Sequence, residues 1–128
     1  MSEAAAKKYG CRWIFGTDHG GYCEDPSRIH TGKNSGFQAL HAAVLFGASR
    51  VVLLGYDFQA TGRKSHCHGD HPPGLSNSRR RYASWIEPMN TLARDLERRG
   101  VEVLNATRET ALTCFRRIEL QEALPCPE

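Results

Sequence analysis

The sequence predicts a small three-layer α/β domain with a short, mainly parallel sheet. Two observations carry this prediction. Short apolar runs typical of strands alternate along the chain with segments of helical periodicity. In the middle of the chain, a helix closed by glycine runs straight into an apolar strand, as a βαβ unit requires. The chain has 128 residues, which suits one compact domain spanning residues 1–128 rather than two.

The first half of the chain is predicted to hold a strand, a long loop, a helix and a second strand. Residues 1–10 are expected to be a loose or helical lead-in, and 11–15 (CRWIF) a strand that stops at Gly16. Residues 17–33 are glycine-containing and polar, which predicts a loop. A helix with Asn34 or Ser35 as its N-cap ends at Gly47, and residues 50–54 (RVVLL) form a strand buried on both faces.

The second half is predicted to hold a further loop, a helix, a strand and a short helix. The loop covers 57–77 and the helix about 84–99, where Pro88 fits only in the first turn. A strand follows at 101–104, a short helix at 107–117 and a loose end at 118–128. Right-handed crossovers place the three strands in one parallel sheet. Because such a narrow sheet has two exposed edges, we expect a homo-oligomer.

Composition excludes several classes of protein. The chain has 17 Lys and Arg against 14 Asp and Glu, and a net charge of +3 is too small for a dedicated nucleic-acid-binding protein. No apolar run approaches the ~20 residues that span a bilayer, so no membrane association is expected. The first residues lack the apolar core of a signal peptide. Without such a signal, the five irregularly spaced cysteines are expected to be reduced thiols of a cytoplasmic protein, and because they include no CxxC pair no structural zinc site is expected.

The segment 31–36 (TGKNSG) opens the first predicted helix and is a candidate anion site. Free backbone N–H groups and the positive end of the helix dipole favour an anion there. Asn34 and Ser35 can donate to a phosphate oxygen and Lys33 adds positive charge, with Gly36 ending the segment. The alternative is an ordinary N-cap beside a turn. The segment lacks the order of residues in a Walker A loop.

Polar residues that follow the other predicted strands are expected at the same edge of the sheet. Asp57 emerges after Gly55 and could bind a sugar hydroxyl, orient a histidine or cap the next turn. Tyr56 could stack on a base or fill the core. Asp18, His19 and Gly20 follow the first predicted strand, and Asn105 follows the last one. Arg81 is a further candidate, because its guanidinium group could clamp a phosphate.

The loop after the second predicted strand holds the most reactive side chains, in the order SHCHGDH. His66, His68 and His71 could act as acid or base near neutral pH. Three histidines and an aspartate also suit a divalent metal, although neighbouring residues of one loop rarely all converge on one ion. The third alternative is ordinary loop packing. The sequence therefore fixes no cofactor and leaves a divalent metal open. The isolated His41 is expected to be a packed core or surface residue of its helix.

The segment NSGFQALHAAVLFGASRVVLLGYDFQ resembles one half of a Rossmann-like group that holds the MptE-like proteins and the bacterial CMP-sialic-acid-dependent sialyltransferases. Short phage-encoded proteins, often labelled morphogenetic, are similar through DHGGYC, HTGKNSG, GYDFQATG, GDHP and RETALTCF. The resemblance covers roughly residues 13–117. It implies a small Rossmann-like domain and a nucleotide-type ligand. In the sialyltransferases a histidine on a mobile loop is the base, which implies His66, His68 or His71, with Asp57, here.

One departure from these enzymes bears on function. They carry an upstream glycine-rich strand-turn-helix that holds part of the nucleotide, and nothing before residue 11 supplies it. The site is then half built, completed by another subunit, or used for something other than transfer.

Three functions remain as hypotheses. The first is a phage-type protein that binds a nucleotide or nucleotide-derived signal and sequesters it in the host cytoplasm. The second is a transferase or phosphohydrolase acting on a nucleotide-type substrate. The third is an assembly protein without a small ligand.

Overall fold

The computed structural model describes residues 3–60 and 79–124. Within these ranges helices and short strands alternate along the chain. In order they are α1 (Glu3–Tyr9), β1 (Phe15–Thr17), β2 (Arg28–His30), α2 (Ser35–Leu45), β3 (Arg50–Leu53), α3 (Arg79–Arg98), β4 (Glu102–Asn105), β5 (Arg116–Arg117) and α4 (Leu120–Ala123). No helix in the described part of the chain is long and apolar enough to cross a membrane.

The strands form two short sheets, and every pairing in them is parallel. β1 pairs with β2, whereas β3, β4 and β5 lie side by side in that order. The prediction of a small α/β domain with parallel strands is confirmed. The prediction of one sheet made from three strands is wrong. The first strand pairs with β2, which was predicted as loop, and the sheet containing β3 and β4 gains β5.

The first strand begins later than the apolar run predicts. The Cys11 N–H donates to the Ala6 carbonyl at 2.9 Å, so the start of the run belongs to the end of α1. Pairing begins only at Phe15, whose N–H donates to the Ser27 carbonyl at 2.9 Å. The strand is therefore Phe15–Thr17 rather than 11–15, because Cys11 is already bonded to the preceding helix and the first parallel pair joins Phe15 to Arg28.

Both ends of α2 follow the predicted capping signals. The Asn34 side chain accepts a hydrogen bond from the Phe37 N–H at 2.8 Å, which makes Asn34 the N-cap. At the other end the Gly47 N–H donates to the Val44 carbonyl and the Ala48 N–H to the Ala43 carbonyl. Together with φ +94° at Gly47, these bonds form a Schellman cap that turns the chain into β3.

α3 begins earlier than predicted and contains Pro88 in its interior. Proline in a helix interior costs about 3 kcal/mol because it removes a donor and crowds the preceding turn. Met89, Leu92 and Leu96 are almost fully buried on one face of this helix. Because each buried side chain of this size contributes about 1.5–3 kcal/mol, their burial offsets the cost of the proline.

Residues 107–117 are not the predicted helix. The Thr107 N–H donates to the Asn105 side chain at 3.0 Å, and the Leu112 N–H donates to the Thr110 hydroxyl at 2.9 Å. Such local side-chain bonds give the backbone an alternative to helical bonds. The segment ends in β5, and the chain then forms α4, where Ala123 is buried, in a part of the chain expected to be loose.

The hydrophobic core lies between α2, α3 and the sheet of β3 and β4. Its largest members are Phe37 and Leu40 from α2, Leu53 from β3, and Met89 and Leu92 from α3. Leu112 and Phe115 close the core from the segment before β5. The carboxyl ends of the strands and the start of α2 border this core and carry most of the predicted site residues.

Candidate functional site

The turn between β2 and α2, residues Thr31 to Gly36, has a backbone that only a few residue types adopt readily. Gly32 and Lys33 both have positive φ, at +50° and +62°. A Cβ on Gly32 would lie 2.2 Å from Cγ of Phe37, which is fully buried, so this position requires glycine. The Asn34 side chain completes the turn by donating to the Gly32 carbonyl at 3.3 Å.

Lys33 is held in a strained conformation and is exposed. A left-handed conformation costs a residue with a side chain roughly 1–2 kcal/mol, and such strain is concentrated at functional sites. In the described part of the chain, the N–H groups of Ser35 and Gly36 have no hydrogen-bond partner. The turn therefore combines a cation, an exposed serine hydroxyl and two open donors at the positive end of α2.

The segment after β1 is bonded to this turn. The Asp18 carboxylate accepts a hydrogen bond from the Thr31 hydroxyl at 3.3 Å, and the His19 carbonyl accepts one from the Gly32 N–H at 3.2 Å. Gly20 lies against α3, since a Cβ there would lie 3.3 Å from Cα of Pro88. The structure thus brings Asp18 and His19 beside the turn, whereas Gly20 serves the packing of the loop on α3.

Two further histidines lie behind this segment. His30 is half-buried, with Nδ1 3.1 Å from the carbonyl oxygens of both Gly20 and Gly21. Its ring centroid is 5.4 Å from that of His19 and 5.7 Å from that of His41. His19, whose carbonyl accepts from the Gly32 N–H, is exposed, and the half-buried His30 directly precedes Thr31, so both residues adjoin the turn.

His41 fixes the loop between β1 and β2 onto α2. It is fully buried, and its Nδ1 accepts a hydrogen bond from the His30 N–H at 3.1 Å. Its Nε2 lies 3.1 Å from the Cys23 backbone nitrogen and 3.2 Å from the Cys23 carbonyl oxygen, so both ring nitrogens bond to the backbone of the loop. Burial lowers the pKa of His41 below its usual value, so the ring is neutral at neutral pH.

Tyr56 connects the end of β3 to the start of α2 and to the segment after β4. Its hydroxyl donates to the Gly36 carbonyl at 3.0 Å, and its backbone N–H donates to the Thr107 hydroxyl at 2.9 Å. Burial raises the pKa of Tyr56. A Cβ on Gly36 would lie 3.1 Å from the tyrosine ring. Of the two roles considered for Tyr56, the contacts describe core packing.

A crevice of about 410 Å³ opens at the carboxyl ends of β3 and β4. Gly55 and Asp57 line one side of it, and Arg108, Arg117 and Glu119 contribute to the others. Arg117 is fixed by donating from Nη2 to the carbonyl oxygens of Thr107 and Arg108, at 2.6 and 2.9 Å. The predicted residues Gly55 and Asp57 therefore face a wall whose residues Arg117 and Glu119 were not predicted, because 107–117 was expected to be a helix and 118–128 a loose end.

Asn105 does not face this crevice. It is fully buried at the end of β4, where its side chain accepts from the Thr107 N–H and donates to the Leu112 carbonyl. Both bonds serve the turn that follows β4. The side chain is thus committed to internal bonds.

The predicted histidines of the second loop lie outside the described residues. This applies to His66, His68 and His71, and the side chain of Arg81 is likewise outside them, although its backbone belongs to α3. Within residues 3–60 and 79–124, no three histidine, cysteine or acidic side chains are close enough together to hold a metal ion.

A groove of about 620 Å³ between α3 and the β4–β5 edge contains none of the predicted site residues. Its polar atoms include the Cys114 thiol, and burial raises the pKa of this thiol to about 11. A thiol with so high a pKa is almost entirely protonated at neutral pH and is a poor nucleophile.

No protein-family model matches this chain, and comparisons with curated proteins and with solved structures returned no match.

Proposed function

We propose that this protein binds a small phosphate-bearing ligand of nucleotide type at the turn formed by Thr31 to Gly36. The observation that carries the proposal is the conformation of Lys33, which is held at φ +62° and exposed next to the open N–H groups of Ser35 and Gly36. Strain of this kind is concentrated at functional sites, where the surrounding structure holds it in place. A phosphate oxygen would be bound by both N–H groups and by the Ser35 hydroxyl.

The charges around the turn set the expected preferences of the site. Lys33 is exposed and attracts an anion. The Asp18 carboxylate opposes it, although its bond with the Thr31 hydroxyl helps to shape the turn. The expected ligand therefore carries few phosphate groups rather than a long polyphosphate.

The test is isothermal titration with inorganic pyrophosphate and with the 5′-monophosphates of adenosine, guanosine, cytidine and uridine. Ser35→Ala removes one hydrogen bond to a charged group and should weaken binding about tenfold. Ser49→Ala is the matched control, because Ser49 is exposed beyond the opposite end of α2. Equal affinities in the two variants, or no binding of any probe to the unaltered protein, would contradict the proposal.

The same samples distinguish binding from catalysis. After incubation and heat denaturation, mass spectrometry identifies the released small molecules. Recovery of the intact nucleotide supports a protein that sequesters its ligand. A converted product would make it a transferase or phosphohydrolase and would direct attention to His66, His68, His71 and Asp57.

A further inference from the structure

The crevice at the carboxyl ends of β3 and β4 has a different chemical character from the Thr31–Gly36 turn. It holds two carboxylates, Asp57 and Glu119, and two guanidinium groups, Arg108 and Arg117, so its formal charge balances. A balanced set of charges has no net attraction for a phosphate. It suits an uncharged polar group that can both donate and accept hydrogen bonds.

The apolar part of the crevice is unusually open to solvent. Leu54 and Leu120 both line it and are 55% and 38% exposed. Ile118 is a further aliphatic residue of the lining. A concave site with exposed aliphatic side chains and a few polar groups is the usual setting for a flat ring with polar substituents.

The polar side chains of the crevice differ in how firmly they are held. Nη2 of Arg117 is committed to two backbone carbonyls, which fixes the floor of the crevice. Asp57 and Glu119 are both exposed, and neither carboxylate forms an ion pair within the described residues. Carboxylates are acceptors that can bind a pair of hydroxyl groups.

Tyr56 joins the crevice to the turn. It lies between Gly55 and Asp57, its N–H donates to the Thr107 hydroxyl, and its own hydroxyl reaches the Gly36 carbonyl. Thr107 lines the crevice and Gly36 belongs to the turn. The two places are thus separated by about the length of one tyrosine side chain. Gly55 has φ +72°, and a Cβ there would meet nothing within 4 Å, so the mouth of the crevice is open on this side.

We infer that the crevice binds the nucleoside part of the ligand whose phosphate is bound by the Thr31–Gly36 turn. Leu54 and Leu120 contact the base, and Asp57 accepts hydrogen bonds from the ribose hydroxyls. This inference rests on the proposed function and narrows it to a ribonucleotide. This placement of the ligand also matches the charges of the protein. The anionic phosphate lies at the turn, beside the cation of Lys33, and the uncharged nucleoside lies in the crevice, where the charges balance.

The experiment compares three probes on the full chain: inorganic pyrophosphate, a ribonucleoside 5′-monophosphate and its 2′-deoxy analogue. The nucleotide should bind more tightly than pyrophosphate. Leu54→Ser should weaken nucleotide binding about tenfold, the size of one lost apolar contact in a pocket, and leave pyrophosphate unaffected. Leu124→Ser is the matched control, because Leu124 is 56% exposed and lies outside the crevice.

A second variant tests the ribose contact separately from folding. The unaltered protein should prefer the ribonucleotide over its deoxy analogue, and Asp57→Asn should reduce this preference while pyrophosphate affinity stays the same. Saturation-transfer NMR with irradiation of the leucine methyl groups should give its strongest signals at the base protons. Circular dichroism of each variant confirms that the fold is retained.

The outcomes separate the two proposals. If pyrophosphate binds as tightly as the nucleotide and Leu54→Ser changes neither affinity, the inference about the crevice is wrong and the proposed anion site at the turn stands. If the nucleotide binds through the crevice while Ser35→Ala has no effect, the anion site is wrong. If no probe binds, both proposals are wrong.

Discussion

Gly32→Ala is the substitution that tests the geometry of the turn most directly. The added Cβ would lie 2.2, 2.3 and 2.7 Å from three ring atoms of Phe37. Real Cβ atoms do not come so close, so either the ring or the turn must move. Phe37 is fully buried in the core of the domain, which leaves its ring little room.

The expected cost is the sum of a conformational and a steric contribution. At φ +50° an alanine costs roughly 1–2 kcal/mol in the left-handed region. Overpacking a well-filled core adds typically about 1–3 kcal/mol. Alanine returns about 0.4–1 kcal/mol by restricting the unfolded chain. We therefore expect Gly32→Ala to lower the free energy of unfolding by about 2–4 kcal/mol.

Gly100→Ala isolates the conformational contribution. Gly100 also has positive φ, at +71°, but a Cβ there would meet nothing within 4 Å. Urea unfolding followed by circular dichroism gives the free energy of unfolding for both variants, and Gly32→Ala should be the more destabilised by about 1–3 kcal/mol. Adding Phe37→Leu should recover part of the difference, since it frees space beside the new methyl group. Equal losses at Gly32 and Gly100 would refute the placement of Phe37 against the turn.

Three further predictions concern charge, pH and thiol reactivity. Lys33→Asn should weaken pyrophosphate binding in calorimetric titrations while Asp18→Asn strengthens it, and both effects should shrink at high salt; changes of the same sign would contradict the charge argument. The free energy of unfolding should fall as the pH drops below about 6.5, because burial lowers the pKa of His41 and only the unfolded chain then binds a proton at this histidine. Urea titrations of His41→Asn should show a flatter dependence of the free energy of unfolding on pH over this range. Iodoacetamide mapping by mass spectrometry at neutral pH should modify the exposed Cys11 well before Cys114, whose pKa burial raises to about 11; faster modification of Cys114 would mean that its surroundings are open to water.

Elements whose signals are local could be predicted from the sequence. Asn34 caps α2 through its own side chain, and Gly47 ends the helix through its positive φ. Both properties belong to single residues and their immediate neighbours. β3 was recognisable for a similar reason, since its apolar, β-branched residues Val51 and Val52 favour a strand in themselves.

Elements that depend on distant partners could not be predicted in this way. β2 and β5 consist of three and two residues, respectively, and neither is apolar throughout. They are strands because β1 and β4 pair with them. The helix expected over 107–117 failed because the side chains of Asn105 and Thr110 accept hydrogen bonds from nearby backbone N–H groups, a competition that hydrophobic periodicity does not reveal.

The predicted meeting of polar segments at one edge was more informative than any single motif. Hydrogen bonds join the segment after β1 to the turn, through Asp18, and the segment after β3 to both α2 and the segment after β4, through Tyr56. The position of the parallel strands made this expectation possible. Most of the far wall of the crevice was not predicted, because Arg117 ends the stretch expected to be a helix and residues 118–121 belong to the end expected to be loose.

The polar residues at this edge fall into two groups that substitutions should separate. The side chains of Asn34, His41 and Asn105 form hydrogen bonds with backbone N–H groups, so replacing these residues should lower the free energy of unfolding. Lys33, Ser35 and Asp57 are exposed, and within the described residues their side chains form no such hydrogen bonds with the backbone. Exposed side chains without structural contacts usually change stability by less than about 0.5 kcal/mol when replaced. A loss of binding without a loss of stability at this second group is therefore the pattern that a ligand site produces, and losses confined to the first group would indicate loops built only to hold the fold together.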